Sequence, residues 1–157
     1  MLIAVSLIAQ QAFRFVAPDK SFEASFPGQP KHAQKMSESG PFHIEQHSYS
    51  FENSEAKFVL SYLRMTPYPT DLKASDALDG AISGTIDNVS GTLLTKESVT
   101  LRGKAAKAVQ ISVGEDTIID GRFVCVKPRL YQLLVIHRKG AQPPFQQQFF
   151  DSFTVPN

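Results

Sequence analysis

One stretch sets the architecture of this chain: Arg122-Phe-Val-Cys-Val-Lys-Pro-Arg-Leu-Tyr-Gln-Leu-Leu-Val-Ile-His-Arg138. It holds two runs of mainly aliphatic, β-branched and aromatic residues on either side of Lys127-Pro128-Arg129. Such residues suit a pleated, half-buried surface, and a proline between two such runs is typical of a turn. The stretch therefore predicts a β-hairpin. Its second run, Leu130–Ile136, is almost wholly apolar, which is typical of a strand covered on both faces. We therefore expect Leu130–His137 to be the central strand.

The composition is that of an ordinary globular protein. The chain has 157 residues, of which 42% are hydrophobic and 20% charged, which is enough for one domain with its own core. Lys plus Arg number 16 and Asp plus Glu 15, so the formal net charge is +1. No overall field would draw such a chain onto nucleic acid or an anionic membrane surface, and we expect no nucleic-acid partner.

Alternating apolar residues and turn signals predict further strands around this hairpin, over residues 13–17, 22–26, 31–36, 42–51, 58–65, 93–101, 107–113 and 117–126. A helix is predicted with Ser75 as its N-cap and Gly91 at its end, and its apolar stripe is formed by Leu78, Ile82, Ile86 and Val89. Gly80 and Gly84 inside this helix are expected to allow a close approach to the sheet.

A second helix is predicted to begin near Pro143 or Pro144, with an inner face made by Phe145, Phe149, Phe150 and Phe153. The order strands, helix, strands, helix predicts an α+β domain with an antiparallel sheet. Because the central strand needs cover on both faces, we expect helices on each side. The predicted architecture is a three-layer α/β/α sandwich over residues 13–157.

Residues 1–12 are apolar and end in a polar stretch with the small residues Ala9 and Ala12. The segment is too short to span a bilayer, which needs about 20 apolar residues. It is similar to the h-region and cleavage end of a secretory signal, although no basic n-region precedes it. We predict a signal-peptide remnant and a periplasmic or secreted protein without a membrane span. The alternative is a docked N-terminal strand or helix on a cytoplasmic protein.

The clearest candidate metal site is His43-x-Glu45-x-His47. On a strand these side chains project from one face at intervals of roughly 7 Å. Neighbouring imidazole and carboxylate groups can share a metal ion, whereas binding by all three needs a curved strand. The alternative is a polar stripe on a solvated face, which the lack of a second histidine cluster favours.

A second candidate site consists of cations at the ends of the central hairpin: Arg122, Lys127, Arg129 and Arg138. They are candidates for binding an acidic partner or an anionic glycan. The alternative is that they pair with the neighbouring Asp116 and Asp120 on a solvated surface.

The sequence carries none of the common catalytic or phosphate-binding motifs, and we expect neither enzymatic activity nor a cofactor. Cys125 is the only cysteine. It lies in an apolar run and is interpreted as a small buried hydrophobe rather than a nucleophile. His137 ends the central strand and is interpreted as a structural histidine.

Several turn and core motifs carry a family resemblance: Phe15-Val-Ala-Pro-Asp19, Phe26-Pro-Gly-Gln-Pro30, Leu101-Arg-Gly103, Gly121-Arg122, Arg129-Leu-Tyr-Gln-Leu133 and Phe150-Asp-Ser-Phe153. With them the chain resembles a group of bacterial secreted proteins with a PsbP-like fold, the fold of the extrinsic P subunit of photosystem II and of a small Ran-binding import factor. The resemblance spans most of residues 13–155 and implies an α/β/α sandwich. It implies no photosystem-binding or Ran-binding role.

The leading functional hypothesis is a non-catalytic domain of the bacterial cell envelope that binds a protein or a small-molecule ligand. The first alternative is a metal-binding protein or metal-dependent enzyme that uses the His-x-Glu-x-His strand. The second is an envelope scaffold or assembly factor.

Overall fold

The computed structural model describes residues 11–156, so most of the predicted signal segment lies outside the described residues. Within this range the chain forms nine strands and two helices: β1 (Phe13–Val16), β2 (Glu23–Phe26), β3 (Lys31–Ser39), β4 (Phe42–Glu52), β5 (Ala56–Thr66), α1 (Ala74–Val89), β6 (Thr92–Leu101), β7 (Lys104–Val113), β8 (Thr117–Val126), β9 (Arg129–Arg138) and α2 (Gln146–Ser152).

Seven of the strands form an antiparallel sheet in the order β3-β4-β5-β9-β8-β7-β6. Strand β9 is the middle strand and pairs with β5 on one side and β8 on the other. In the β8–β9 hairpin Val126 pairs with Arg129 across the two-residue turn Lys127-Pro128. The predictions of the hairpin and of the central strand are confirmed, as are the α+β class and the antiparallel sheet.

Side chains of β9 alternate between two apolar clusters on opposite faces of the sheet. Leu130, Leu134 and Ile136 belong to the cluster that α1 covers with Leu78 and Ile82. We call this side the helical face. The helix packs on β7, β8 and β9.

The opposite side, which we call the hairpin face, is covered by the two-stranded β1–β2 hairpin and by the short helix α2. Phe22 packs against Tyr131 at 5.6 Å between ring centroids, and Phe26 packs against Phe149 at 5.2 Å. A bridge between Glu23 and Thr154 joins the C-terminal segment to the hairpin. The layer on this face is therefore mixed, a hairpin together with one short helix.

Both helices begin at other residues than the sequence predicts. Helix α1 begins at Ala74 with Lys73 as its N-cap, because Ala77 N–H donates to Lys73 O at 3.0 Å, so the prediction of Ser75 as the N-cap is wrong. Helix α2 begins at Gln146. The residues from Pro143 form a turn that Gln146 N–H closes on Pro143 O at 3.1 Å.

Candidate functional site: a cavity beneath helix α1

A cavity of about 420 Å³ lies on the helical face between α1 and strands β5 and β9. It exists because the helix packs on β7, β8 and β9 and leaves space above β5. Its volume falls within the roughly 300–1,000 Å³ of sites that enclose small molecules. The walls are mainly apolar and include Leu63, Met65, Leu72 and Leu130.

Helix α1 turns small residues toward this cavity: Ala77, Gly80, Ala81 and Gly84. A Cβ atom built on Gly80 or Gly84 would meet no other atom within 4 Å. The expected close approach of the two glycines to the sheet is therefore wrong. Neither residue has the positive φ that would require glycine. The helix tolerates them at a cost of about 1 kcal/mol each relative to alanine.

The floor of the cavity carries an uncharged polar chain across three elements. Ser61 of β5 is paired in register with Gln132 of β9, and Gln132 Nε2 lies 2.7 Å from Ser61 Oγ. Thr85 Oγ1 of α1 lies 3.1 Å from Gln132 Oε1 and 2.9 Å from the carbonyl oxygen of Ala81.

The Thr85 hydroxyl has one proton and can donate to only one of these two oxygens. If the oxygen and nitrogen of the Gln132 side-chain amide exchange places, each of the three contacts has one donor and one acceptor. Thr85 then donates to Ala81 O, the amide nitrogen donates to Thr85, and Ser61 donates to the amide oxygen. In both orientations the chain is neutral, and Ser61 keeps capacity for one further hydrogen bond.

The mouth of the cavity contains Tyr68 and Cys125, whose Oη and Sγ atoms lie 3.9 Å apart. Burial and the contact with Cys125 raise the pKa of the Tyr68 hydroxyl. Lys127 Nζ lies 5.7 Å from the centre of the Tyr68 ring. Cys125 packs against the apolar cluster of the helical face, but it is only half-buried and so less buried than the sequence predicts.

The sequence motifs do not identify Ser61, Thr85 and Gln132 as candidate site residues. A signal for two of them was available, because Ser61 interrupts the apolar run of β5 and Gln132 that of β9. A polar residue inside a strand buried on both faces needs a partner, and the register supplies it.

The predicted metal ligands His43, Glu45 and His47 share the hairpin face of β4, but they do not converge on one point. His43 pairs with Glu38 of β3, and His47 pairs with Glu45. His43 Nδ1 lies 2.6 Å from Glu38 Oε1, and His47 Nε2 lies 2.5 Å from Glu45 Oε1. Among residues 11–156, no three His, Cys, Asp or Glu side chains are grouped to hold a metal ion. The metal hypothesis stays a prediction, and it requires zinc binding tighter than about micromolar that His43→Ala removes.

His47 is also part of an aromatic array on strands β3, β4 and β5. His32 Nε2 lies 2.9 Å from His47 Nδ1, and the His47 ring stacks on Tyr62 at 4.8 Å. The hydrogen bond from His47 lowers the pKa of Glu45. The two nitrogens of His47 are thus both engaged by protein groups, so this imidazole has no free nitrogen for a ligand.

The four predicted partner-binding cations do not form one patch. Lys127 and Arg129 lie at one end of the β8–β9 hairpin, and Arg138 lies at the other end of β9, roughly 30 Å away along the strand. Arg122 is half-buried over the Phe150 ring, with 4.5 Å between Cζ and the ring centre. Binding of an acidic partner or anionic glycan by these residues stays a prediction.

A more open cleft of about 630 Å³ lies beside the loop that follows β9. His137 is buried in its wall, with Nε2 at 2.6 Å from Asp120 Oδ2 and Nδ1 at 2.8 Å from Arg138 O. Gln110 and Gln146 amide groups contact the same carboxylate at 3.0 Å and 3.2 Å. Because both ring nitrogens are engaged, this cluster ties the loop to the sheet rather than offering a base.

The arrangement of sheet, helices and hairpin is similar to that of cyanobacterial PsbP (CyanoP) from Synechocystis sp. PCC 6803, known from a solution structure. The TM-score is 0.61 and the sequence identity 11%, over 96% of each chain. The chain has a PsbP-like fold. The PsbP-like fold that the sequence motifs imply is thereby confirmed. At this identity the similarity concerns the fold alone.

Two other solved structures match this chain with lower scores. Protein PA94 of unknown function from Pseudomonas aeruginosa, described as a putative regulator, has a TM-score of 0.47 and 9% identity over 93% of this chain and 97% of its own. A protein from Bacteroides thetaiotaomicron VPI-5482 has a TM-score of 0.47 and 11% identity over 95% of this chain and 50% of its own.

No family model matches the sequence, and no curated protein matches it either. Within the described part of the chain, neither helix has the length and apolar character needed to cross a membrane.

Proposed function

We propose that this protein is a non-catalytic binding domain that takes up a mainly apolar small molecule in the cavity between α1 and β5. The observation that carries the proposal is the glycine pair Gly80 and Gly84. Alanine at either position would stabilise the helix by about 1 kcal/mol and would meet no neighbouring atom. The glycines thus keep space open at a cost in stability, as is common at functional sites.

The lining of the cavity supports the same function. Ligand sites typically combine apolar walls with a few polar groups that fix orientation. Here the apolar walls include leucine and methionine side chains, and the polar lining includes Ser61 and Gln132 on the floor together with Gln46, Tyr68 and Asn88. We propose a domain of three layers, namely α1, the sheet, and the β1–β2 hairpin with α2. The ligand lies between α1 and the sheet.

The absence of catalysis is proposed from the surroundings of Cys125, the one thiol that lines the cavity. Within residues 11–156, its hydrogen-bonding neighbour is the Tyr68 hydroxyl. A reactive thiolate needs an imidazole or another positive group beside it, and a hydroxyl does not supply that charge.

Binding of the hydrocarbon dye diphenylhexatriene, followed by its fluorescence, tests the proposal. We expect saturable binding to the wild-type protein and an affinity at least about tenfold lower for Gly84→Leu, whose side chain fills the cavity. Ser83→Leu is the matched control, because it adds the same side chain to an exposed neighbouring position of α1. Equal binding by wild type and Gly84→Leu would refute the proposal.

Cys125 provides a second and independent measurement. It is the only cysteine of the sequence and lies at the cavity, so its alkylation by iodoacetamide reports on access. We expect the dye to slow alkylation in the wild-type protein and to have no effect on the rate in Gly84→Leu. Alkylation at the same rate with and without saturating dye would contradict the assignment of the dye to this cavity.

An envelope location is also part of the proposal. It is supported by the apolar segment 1–12, which ends in small residues as a secretory signal does. Mass spectrometry of the protein isolated from its native host tests this point. A mature chain that starts at residue 12 or 13 agrees with export, and a chain that keeps Met1 contradicts it.

A further inference from the structure

We infer that the bound molecule is an uncharged amphiphile, with an apolar chain along the cavity walls and one neutral oxygen group, a hydroxyl or an ester, against Ser61. This inference rests on the proposed function, because it concerns the same cavity. It excludes the free fatty acid, the commonest charged relative of such a molecule.

The charges around the cavity favour a neutral ligand. Among the residues that line it, Asp76 is the only one with a charged side chain, and it is exposed on α1. A carboxylate that leaves water without a nearby cation loses several kcal/mol of hydration, which the neutral hydroxyl and amide groups of the lining restore only in part. Asp76 would add repulsion. A buried acid group would therefore weaken binding, whereas a hydroxyl or ester would not.

The polar floor can serve either kind of neutral oxygen. Ser61 is 2% exposed, and its hydroxyl contacts one group, the Gln132 amide. In one orientation of that amide Ser61 has a proton left for a ligand oxygen, and in the other it has a lone pair left for a ligand hydroxyl. A ligand with an oxygen group can use this remaining capacity for a second hydrogen bond to Ser61, whereas a pure hydrocarbon cannot.

Lys127 lies beside the mouth, with its ammonium group over the Tyr68 ring. It is exposed and does not line the cavity. An anionic headgroup could reach it only by staying in solvent, with its chain inside. This second geometry predicts that Lys127→Gln weakens binding of an acid, whereas binding of an uncharged amphiphile does not depend on Lys127.

Displacement of diphenylhexatriene by decanol, methyl decanoate and decanoate separates these cases at pH 8, where the acid is ionised. We expect decanol and methyl decanoate to displace the dye at concentrations at least about tenfold lower than decanoate. Ser61→Ala should reduce the advantage of decanol over the hydrocarbon dye by roughly five- to tenfold. Ser61→Cys, which keeps the side-chain shape and a weak S–H donor, should give a smaller reduction in the same direction.

Two results would overturn the inference and leave the proposed function standing. One is displacement by decanoate as efficient as by decanol. The other is decanoate binding that Lys127→Gln removes, which would assign the site to an acid with its headgroup at the mouth. In both cases the dye still binds and Gly84→Leu still excludes it. Failure of the dye to bind the wild-type protein would instead refute the proposed function and the inference together.

Discussion

Ser61 of β5 and Gln132 of β9 face each other across paired strands, with 2.7 Å between Ser61 Oγ and Gln132 Nε2. Thr85 of α1 meets the same amide at 3.1 Å. Three elements that are distant in sequence therefore join through neutral polar groups inside an apolar layer. Such a chain stabilises the fold only while each member has a partner, so its members should be energetically coupled.

Removal of Ser61 alone should lower the free energy of unfolding more than removal of both Ser61 and Gln132. We expect Ser61→Ala to lower the free energy of unfolding by about 1–2 kcal/mol, because the Gln132 amide then loses a buried partner. Gln132→Leu in the Ser61→Ala background should recover part of that loss, since no polar group is left unpaired. Urea unfolding of the single and double variants measures the coupling. Additive effects would show that the contact has no energetic role.

The exposed glycines of α1 should gain stability when they are replaced by alanine. We expect Gly84→Ala to raise the free energy of unfolding by about 0.5–1 kcal/mol, because helix propensity improves and no atom is displaced. Gly28→Ala is the contrasting control, since its Cβ would overlap the Phe51 ring and should destabilise the protein. Chemical denaturation measures both. A loss of stability in Gly84→Ala would mean that the space beside the helix is already filled.

The fold could be predicted from sequence because its signals are local. The apolar run Leu130–Ile136 predicted the central strand, and its two-sided burial is visible in β9. Leu78 and Ile82 at helical spacing predicted the buried stripe of α1. The start of α1 was predicted less well, because Ser75 has the right chemistry for a cap but lies one residue inside the helix. Caps depend on how the preceding loop approaches, which residue type alone does not determine.

The cavity could not be predicted, because it depends on where α1 crosses the sheet. Gly80 and Gly84 stand out in the helical sequence, but a glycine is compatible both with a close approach to the sheet and with an open space beside it. The pairing of His43 with Glu38 could be predicted more readily from the sequence. The tight turn between β3 and β4 places Ser39 opposite Phe42 and so Glu38 opposite His43. Only the register decides between that pair and a shared metal site.

Acid should weaken the contact between the β1–β2 turn and the sheet. Burial alone would raise the pKa of Asp19, but hydrogen bonds from Ser21 and Arg129 outweigh it and lower the pKa from 3.8 to about 2. A lowered pKa in the folded state stabilises the protein above the unfolded value, and this stabilisation is lost as pH falls from 3.8 to about 2. After discounting for solvent at the half-exposed Asp19, the loss is about 1 kcal/mol.

Asp19→Asn tests this dependence. We expect the variant to be less stable than wild type by the same amount at pH 5 and pH 7, since both pH values lie above the range from 3.8 to about 2 in which the stabilisation is lost. The difference should shrink as the pH approaches about 2, because the wild-type carboxylate becomes protonated there. Thermal unfolding of both proteins across this range measures the difference. A constant difference would show that Asp19 is not stabilised in its ionised form.

Loss of the contact between His137 and Asp120 should lower the free energy of unfolding more than loss of any other polar contact described on the hairpin face. The imidazole is 5% exposed, and its nitrogens lie 2.6 Å from Asp120 Oδ2 and 2.8 Å from the carbonyl oxygen of Arg138. We expect His137→Ala to lower the free energy of unfolding by about 2–4 kcal/mol, because it removes buried ring contacts and leaves the carboxylate without its closest partner. Arg138→Ala is the control, since that side chain is exposed and the backbone oxygen remains, and its effect should stay within about 0.5 kcal/mol. Urea unfolding of the two variants decides the point: similar small effects would mean that the loop after β9 is held by Phe145 and its neighbours rather than by the histidine.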